Sequence, residues 1–246
     1  MYKSCSIAAI TLSVLVSSQV KAITLNESFE VLTTLGIYSE YNLRGLSLTQ
    51  TKPAIQGSVA LMHSSGAYAV ALASQVDLAI ADADYEADYF VGYYYPFNDH
   101  INLDIGYAKF TYPDSSFLNL SETYAVLKAY GAKAGVYYTS DGGSNDDQSY
   151  MYSYIGYENH DLLPYGIGLD THIGQYDYKD PSFFNENGKA KNKYTEWEIG
   201  FKKNFKYVDA AMSYVDTDLS KTECESFTGD KESCSARLVF GLSTTF

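Results

Sequence analysis

Apolar and polar residues alternate one by one along most of this chain, a pattern that predicts strands with two different faces. The last stretch is the cleanest case. Ala236, Leu238, Phe240, Leu242, Thr244 and Phe246 form one face, and Arg237, Val239, Gly241, Ser243 and Thr245 the other. Ser235 to Phe246 spans about 12 residues, longer than the ~5–6 of an ordinary soluble strand and enough for a tilted membrane crossing of ~9–11. Near the start, Phe29, Val31, Thr33, Leu35, Ile37, Tyr41 and Leu43 share an oily face against Glu30, Thr34, Gly36, Glu40, Asn42 and Arg44.

Ten more strands are predicted between these two. The second, about Ala54–His63, presents Ile55, Val59 and Leu61; the third, Tyr68 to Val76, sets Tyr68, Val70, Leu72 and Val76 against Ala69, Ala71, Ala73 and Gln75. The fourth opposes Tyr85, Tyr89, Val91, Tyr93 and Tyr95 to Glu86, Asp88 and Gly92, and the fifth Ile101, Leu103, Ile105 and Tyr107 to Asn102, Asp104, Gly106 and Ala108. Ser121–Tyr130, Lys133–Ser140 and Ser149–Glu158 follow as sixth, seventh and eighth; the faces of the sixth are open because Tyr124, Val126, Lys128 and Tyr130 share a side, and the register of the eighth is open too. In the ninth, Tyr165, Ile167, Leu169 and Ile173 oppose Gly166, Gly168, Asp170 and His172. The tenth sets Trp197, Ile199 and Phe201 against Glu196, Glu198, Gly200 and Lys202, and the eleventh Val208, Ala210, Met212 and Tyr214 against Asp209, Ala211 and Ser213.

The linkers are long after odd strands and short after even ones, as in outer-membrane barrels with short periplasmic turns and longer outer loops. The fold class that follows is all-β: a transmembrane, antiparallel, up-and-down barrel of about 12 strands. A lipocalin-like barrel, oily inside, would show about eight strands, and the face rich in Gly, Ala, Asp and Glu would make a poor dry core. Only a closed barrel lets strands cross lipid with every backbone group paired.

Composition adds three points. Tyrosine is abundant, at 25 residues beside 12 phenylalanines, and tyrosine favours both strands and the water–lipid boundary. At the N-terminus, Lys3, the mostly apolar Ile7 to Val16 and Val20-Lys21-Ala22 read as a secretory signal peptide over 1–22, leaving a barrel domain over 23–246. Its removal takes away Lys3 and Lys21 and no acidic residue, so the formal charge moves from −13 to −15, which excludes a nucleic-acid surface. Export also bears on Cys224 and Cys234, ten apart in a polar stretch. A disulfide is expected, two free thiols being the alternative. Export through a cleaved signal into the outer membrane of a Gram-negative bacterium is the expected localisation. Lipid, lipopolysaccharide and, through the strand ending at Phe246, the barrel-assembly machinery are the expected partners.

The segment Tyr38-Ser39-Glu40-Tyr41-Asn42-Leu43-Arg44-Gly45-Leu46-Ser47, followed by Pro53-Ala54-Ile55-Gln56-Gly57, resembles the N-terminal signature of the TorF family of porins. Asp170 to Tyr176 and Ser213 to Asp218 fit as well, whereas Glu40 stands where that family often has Asp, and the cysteine loop is individual to this chain. The resemblance implies an outer-membrane channel without catalytic residues.

In a pore, the lumen face is the working surface. The expected lumen acids are Glu30, Glu40, Glu86, Asp88, Asp104, Asp170, Glu196, Glu198 and Asp209, and the bases Arg44, Lys202 and Arg237, with His172 beside Asp170. Carboxylate rings favour cations, so a narrow, mildly cation-preferring path for small polar solutes is expected, with Arg44 opposing an acidic wall. Paired charges that only line a polar wall are the bland alternative. An enzyme is not expected. His63, His100 and His160 fall at short turns, and no Gly-x-Ser-x-Gly, metal-ligand pair or phosphate loop is present, so neither metal nor cofactor is expected. A third class is a surface-binding barrel with a closed lumen, whose loop acids Asp141, Asp146 and Asp147 hold divalent ions and whose Lys179–Lys193 lysines meet lipopolysaccharide phosphates.

Overall fold

The computed structural model describes residues 22–142 and 148–246. The expected signal peptide, but for Ala22, and the loop residues Asp146 and Asp147 lie outside them. Among the described residues, twelve antiparallel strands close into one barrel. They are β1 (Phe29–Tyr38), β2 (Ala54–His63), β3 (Ala67–Gln75), β4 (Tyr85–Pro96), β5 (Ile101–Thr111), β6 (Leu120–Ala129), β7 (Ala132–Thr139), β8 (Tyr150–Leu163), β9 (Ile167–Tyr178), β10 (Lys193–Asn204), β11 (Asp209–Thr217) and β12 (Arg237–Thr245). Each pairs with its sequence neighbours, and β12 closes the ring on β1 through Gly241–Tyr38 to Thr245–Thr34. Phe246 extends that ladder, its N–H donating to Thr33 O at 2.9 Å and its O accepting from Thr33 N–H at 3.0 Å. No long edge is left for another chain to pair with.

The outer surface is oily. Leu35, Ile37, Ile55, Val59, Val91, Ile105, Leu127, Ile155, Ile173, Ile199, Leu238, Phe240 and Leu242 are all exposed there. Exposed aromatic rings gather at both rims, with Tyr95, Phe97, Tyr130, Tyr165, Phe205, Tyr207 and Phe246 at the short-turn end and Tyr85, Tyr138 and Tyr214 toward the loop end. Rings that want different solvents at their two ends belong at such boundaries.

Two expectations about faces are corrected, and two open faces are resolved. In β3 the faces are exchanged: Tyr68, Val70 and Leu72 point inward and are buried, while Ala67, Ala69, Ala71, Ala73 and Gln75 face out. The expected first strand also runs too far. It ends at Tyr38, and Tyr41 and Leu43, expected on the oily outer face, fold into the barrel with residues 39–53, Tyr41 becoming buried. The open faces of β6 and β8 resolve with Glu122, Tyr124, Val126, Tyr150, Tyr152 and Tyr154 inward.

The inner wall has its own packing rule, in which tyrosines lie across glycines of the neighbouring strand. Gly92 sits opposite Tyr68, Gly106 opposite Tyr124 and Gly135 opposite Tyr154. A Cβ at Gly92 would come within 2.4 Å of the Tyr68 ring, and one at Gly135 within 2.2 Å of Tyr154. The glycine makes room and the ring covers the exposed backbone. Much of the tyrosine content is therefore lumen wall rather than rim.

The long connections gather at one end. The loop between β11 and β12 carries α1 (Lys221–Thr228), begun by a capping box of Ser220 and Glu223, and Cys224 is joined to Cys234. Phe227 of α1 lies over the mouth, its ring 5.5–5.8 Å from those of Tyr178, Phe183 and Tyr194.

Candidate functional site

Residues 39–53 do not arch outward like an ordinary loop. They turn down into the barrel and form a miniature hairpin, Asn42–Leu43 against Leu46–Ser47, with Arg44 and Gly45 as its tip. Both tip residues have positive φ, 50° and 85°, as the two-residue turns that match strand twist require. Glycine adopts this freely, and arginine does so at a cost. The tip is pressed to the wall so closely that a Cβ on Gly45 would lie 2.7 Å from Glu196 Cβ and Thr217 Cγ2. Ser47 N–H donates to Ser233 O at 2.8 Å, which ties the inward segment to the α1 loop above it.

Arg44 is the centre of the lumen. Its Nη1 and Nη2 donate to the two oxygens of Glu122 at 2.6 and 2.8 Å, a bidentate fork. Nη1 also donates to Tyr176 Oη at 2.7 Å. The guanidinium carbon lies 4.4 Å from the ring centres of both Tyr137 and Tyr152. Tyr150 Oη donates to Glu122 Oε1 at 2.6 Å and fixes the carboxylate. Arg44 and Glu122 are 4% and 1% exposed, so this ion pair is nearly desolvated. Losing either partner would strand a buried charge, at about 3–5 kcal/mol.

The other residues expected to line the lumen are buried or half-buried, and their partners differ from simple expectation. Arg237 pairs with Glu40 and also donates to Asn42 Oδ1 at 2.9 Å, so it braces the inward segment. Asp170 and His172 do not pair with each other. Asp170 takes Lys133, and His172 Nε2 faces Glu196 Oε2 at 3.1 Å. Glu196 also accepts from Tyr152 Oη at 2.6 Å. Glu198 meets Asn42 Nδ2 at 3.5 Å, and Asp209 accepts from Asn204 Nδ2 at 2.7 Å. Lys202 is inward with its Nζ buried and without a hydrogen-bond partner.

Among the described residues, none of the acids on the β4–β5 wall has a cation at ion-pair distance. Glu86 accepts from Tyr112 Oη at 2.7 Å and Asp104 from Tyr68 Oη at 2.8 Å. One oxygen each of Glu86, Asp88 and Asp104 is buried without a partner. Over the intervening strand β7, Lys128 of β6 pairs with Glu158 of β8 at 2.6 Å. Glu122, Lys128, Lys133 and Glu158 were absent from the expected set, as was the tyrosine cluster. The i, i+2 run of Tyr150, Tyr152 and Tyr154 was the available signal.

In the loops, some of the charged side chains have partners. Asp141 accepts from Ser121 Oγ at 2.6 Å and its neighbours. Burial would raise its pKa, but hydrogen bonds from Ser121 and Thr139 hold it below the usual value. Lys191 Nζ lies 2.8 Å from Glu223 Oε1, beneath α1. That bond raises Lys191, and it holds Glu223 below the carboxylate range although burial alone would push it up.

Among solved structures, the barrel is similar to the KdgM porin, with a TM-score of 0.51, 8% identity, and 88% of this chain and 99% of that one covered. The same values hold for a KdgM porin in complex with disordered oligogalacturonate. A NanC porin gives 0.51 at 12% identity, over 88% and 98% of the two chains. At such identities the likeness is one of fold. No curated protein sequence matches this chain. The TorF signature stays a resemblance, and a family sequence model matches residues 23–246. The chain belongs to that family, Gcw_chp, described as bacterial proteins of unknown function.

Proposed function

We propose that this protein is an outer-membrane channel through which small polar solutes diffuse passively, with a preference for cations. The observation that carries this reading is the inversion of the barrel: apolar residues outside, and inside a wall of carboxylates and tyrosine hydroxyls. Such a surface is stable only with lipid around it and polar groups within. The short turns and Phe246 then face the periplasm, the loops and α1 the exterior, and the assembly machinery reads the last strand. Residues 1–22 serve as the export signal. The inward acids outnumber the inward bases, which favours cations over anions. For this reason the acidic sugar named with the KdgM structure is a poor fit here. The lumen acts on solutes by field and shape.

Planar-bilayer recording in a salt gradient tests the proposal. A reversal potential on the cation side is expected, and anion selectivity would overturn it.

One observation favours a second reading, a barrel closed as a structural or surface-binding protein. The Arg44 hairpin and its tyrosines fill the mid-lumen. A folded, reconstituted protein without any conductance would select this reading.

A further inference from the structure

The Arg44 site separates into a receptor and an occupant. The receptor is Glu122 on β6, Tyr137 on β7, Tyr150 and Tyr152 on β8 and Tyr176 on β9, all on adjacent, fully paired strands. The occupant is one side chain on a hairpin of two-residue strands. Everything a guanidinium group needs is on the wall. A carboxylate is oriented for the bidentate fork, a phenol oxygen accepts a third hydrogen, and two rings stand 4.4 Å from the cation. Cation–π contacts strengthen when water is excluded, and the whole pocket is buried.

The strain lies with the occupant. Arg44 adopts positive φ, and its Nε is buried without a hydrogen-bond partner. An unpaired buried donor costs stability, and so does a left-handed backbone at a residue with a side chain. A free alkylguanidinium carries the same fork without the backbone, and can present its third nitrogen differently.

We infer that the pocket of Glu122, Tyr137, Tyr150, Tyr152 and Tyr176 is a binding station for alkylguanidinium solutes, which Arg44 fills as an internal stand-in until a solute displaces it. Displacement releases the hairpin tip, so the solute opens the path it follows. Small inorganic cations lack the planar fork and do not compete for the station. Quaternary ammonium ions satisfy the rings but cannot donate to Glu122, and they bind less well. The inference deepens the channel reading and rests on it for its physiological sense, but its test does not.

The test is thermal unfolding of detergent-folded Arg44→Ala, followed by tyrosine near-ultraviolet circular dichroism, with and without methylguanidinium chloride. Arg44→Ala is expected to melt below wild type. Methylguanidinium should raise its midpoint saturably, half of the rise arriving at ~1 mM, the weak affinity usual for a small fragment. Sodium chloride of equal ionic strength should not, and the double variant Arg44→Ala/Glu122→Gln should not respond to methylguanidinium. Should Arg44→Ala not fold, Arg44→Gln takes its place under the same criteria. Equal effects of methylguanidinium and sodium on the vacated pocket, or an undiminished response without the Glu122 charge, would overturn the inference. Because the readout is unfolding rather than current, a barrel that is rescued but never conducts would overturn the channel reading and leave the station standing.

Discussion

The exchanged faces of β3 lead to a pair of mutations with opposite signs. Ala71 faces outward between Val59 and Tyr89, its cross-strand neighbours, which are 48% and 54% exposed. Leu72, one residue on, is 4% exposed and packed inside. Ala71→Leu adds three carbons to a surface that lipid covers, each worth ~0.8 kcal/mol on leaving water. Discounting for a compact unfolded chain, stability should rise by about 1–2 kcal/mol. Leu72→Ala removes the same carbons from a filled interior and leaves a cavity, so it should cost ~2–5 kcal/mol. Urea unfolding in phospholipid vesicles gives both values from the transition midpoints at constant slope. If the larger side chains of β3 faced lipid, as the alternation suggests, Ala71→Leu would overpack the lumen and lose about 1–3 kcal/mol. A destabilised Ala71→Leu beside a near-neutral Leu72→Ala would therefore refute the assignment. Ala71→Arg adds a third reading, since an arginine in mid-membrane costs roughly 2–4 kcal/mol.

Three further outcomes are expected. Reducing the Cys224–Cys234 bond should raise proteolysis between β11 and β12 without dissolving the barrel, because a loop of this size constrains the open state by about 3 kcal/mol at most; a gel shift to the unfolded barrel on reduction would contradict it. The Lys191–Glu223 contact under α1 should give loop protection a pH window. Glu223 is lowered, so its contribution is present above the ordinary ~4.3 and is lost as pH falls through its folded value; Lys191 is raised, so its contribution is present below ~10.4 and is lost as pH rises through its own. Limited proteolysis against pH should show both limbs, and Glu223→Gln should flatten the acid one. Deleting Phe246 removes two backbone bonds to Thr33, about 1 kcal/mol each, and should impair assembly far more than the conductance of what does assemble; insertion at the wild-type rate would deny the last residue its role.

The sequence by itself determined the strand number, the alternation of short turns and long loops, and a barrel closed between the first and last strands. Those properties are local. A period of two is written residue by residue, and Pro96-Phe97-Asn98-Asp99 or Asn187-Gly188 interrupts it wherever the chain must turn. It also placed Glu86, Asp88, Asp104, Glu196 and Arg237 on inward faces, because charged residues alternate there with large apolar ones.

Only the tertiary structure decided the rest. In β3, alanine and valine differ too little for the alternation to choose a side, and a one-residue slip exchanges every side chain. Pairing of Ala71 with outward-facing Val59 and Tyr89 made the choice. The inward course of residues 39–53 was hidden because Tyr41 and Leu43 prolong the period of β1 beyond its end. What turns the segment is an Arg-Gly tip that wants positive φ and a carboxylate 78 positions away to receive the arginine. Glu122 sits in a strand whose faces the alternation left open, so nothing local distinguished it. Contacts that close across a barrel join residues far apart in the chain, and the energy that selects them exists only once the ring has closed.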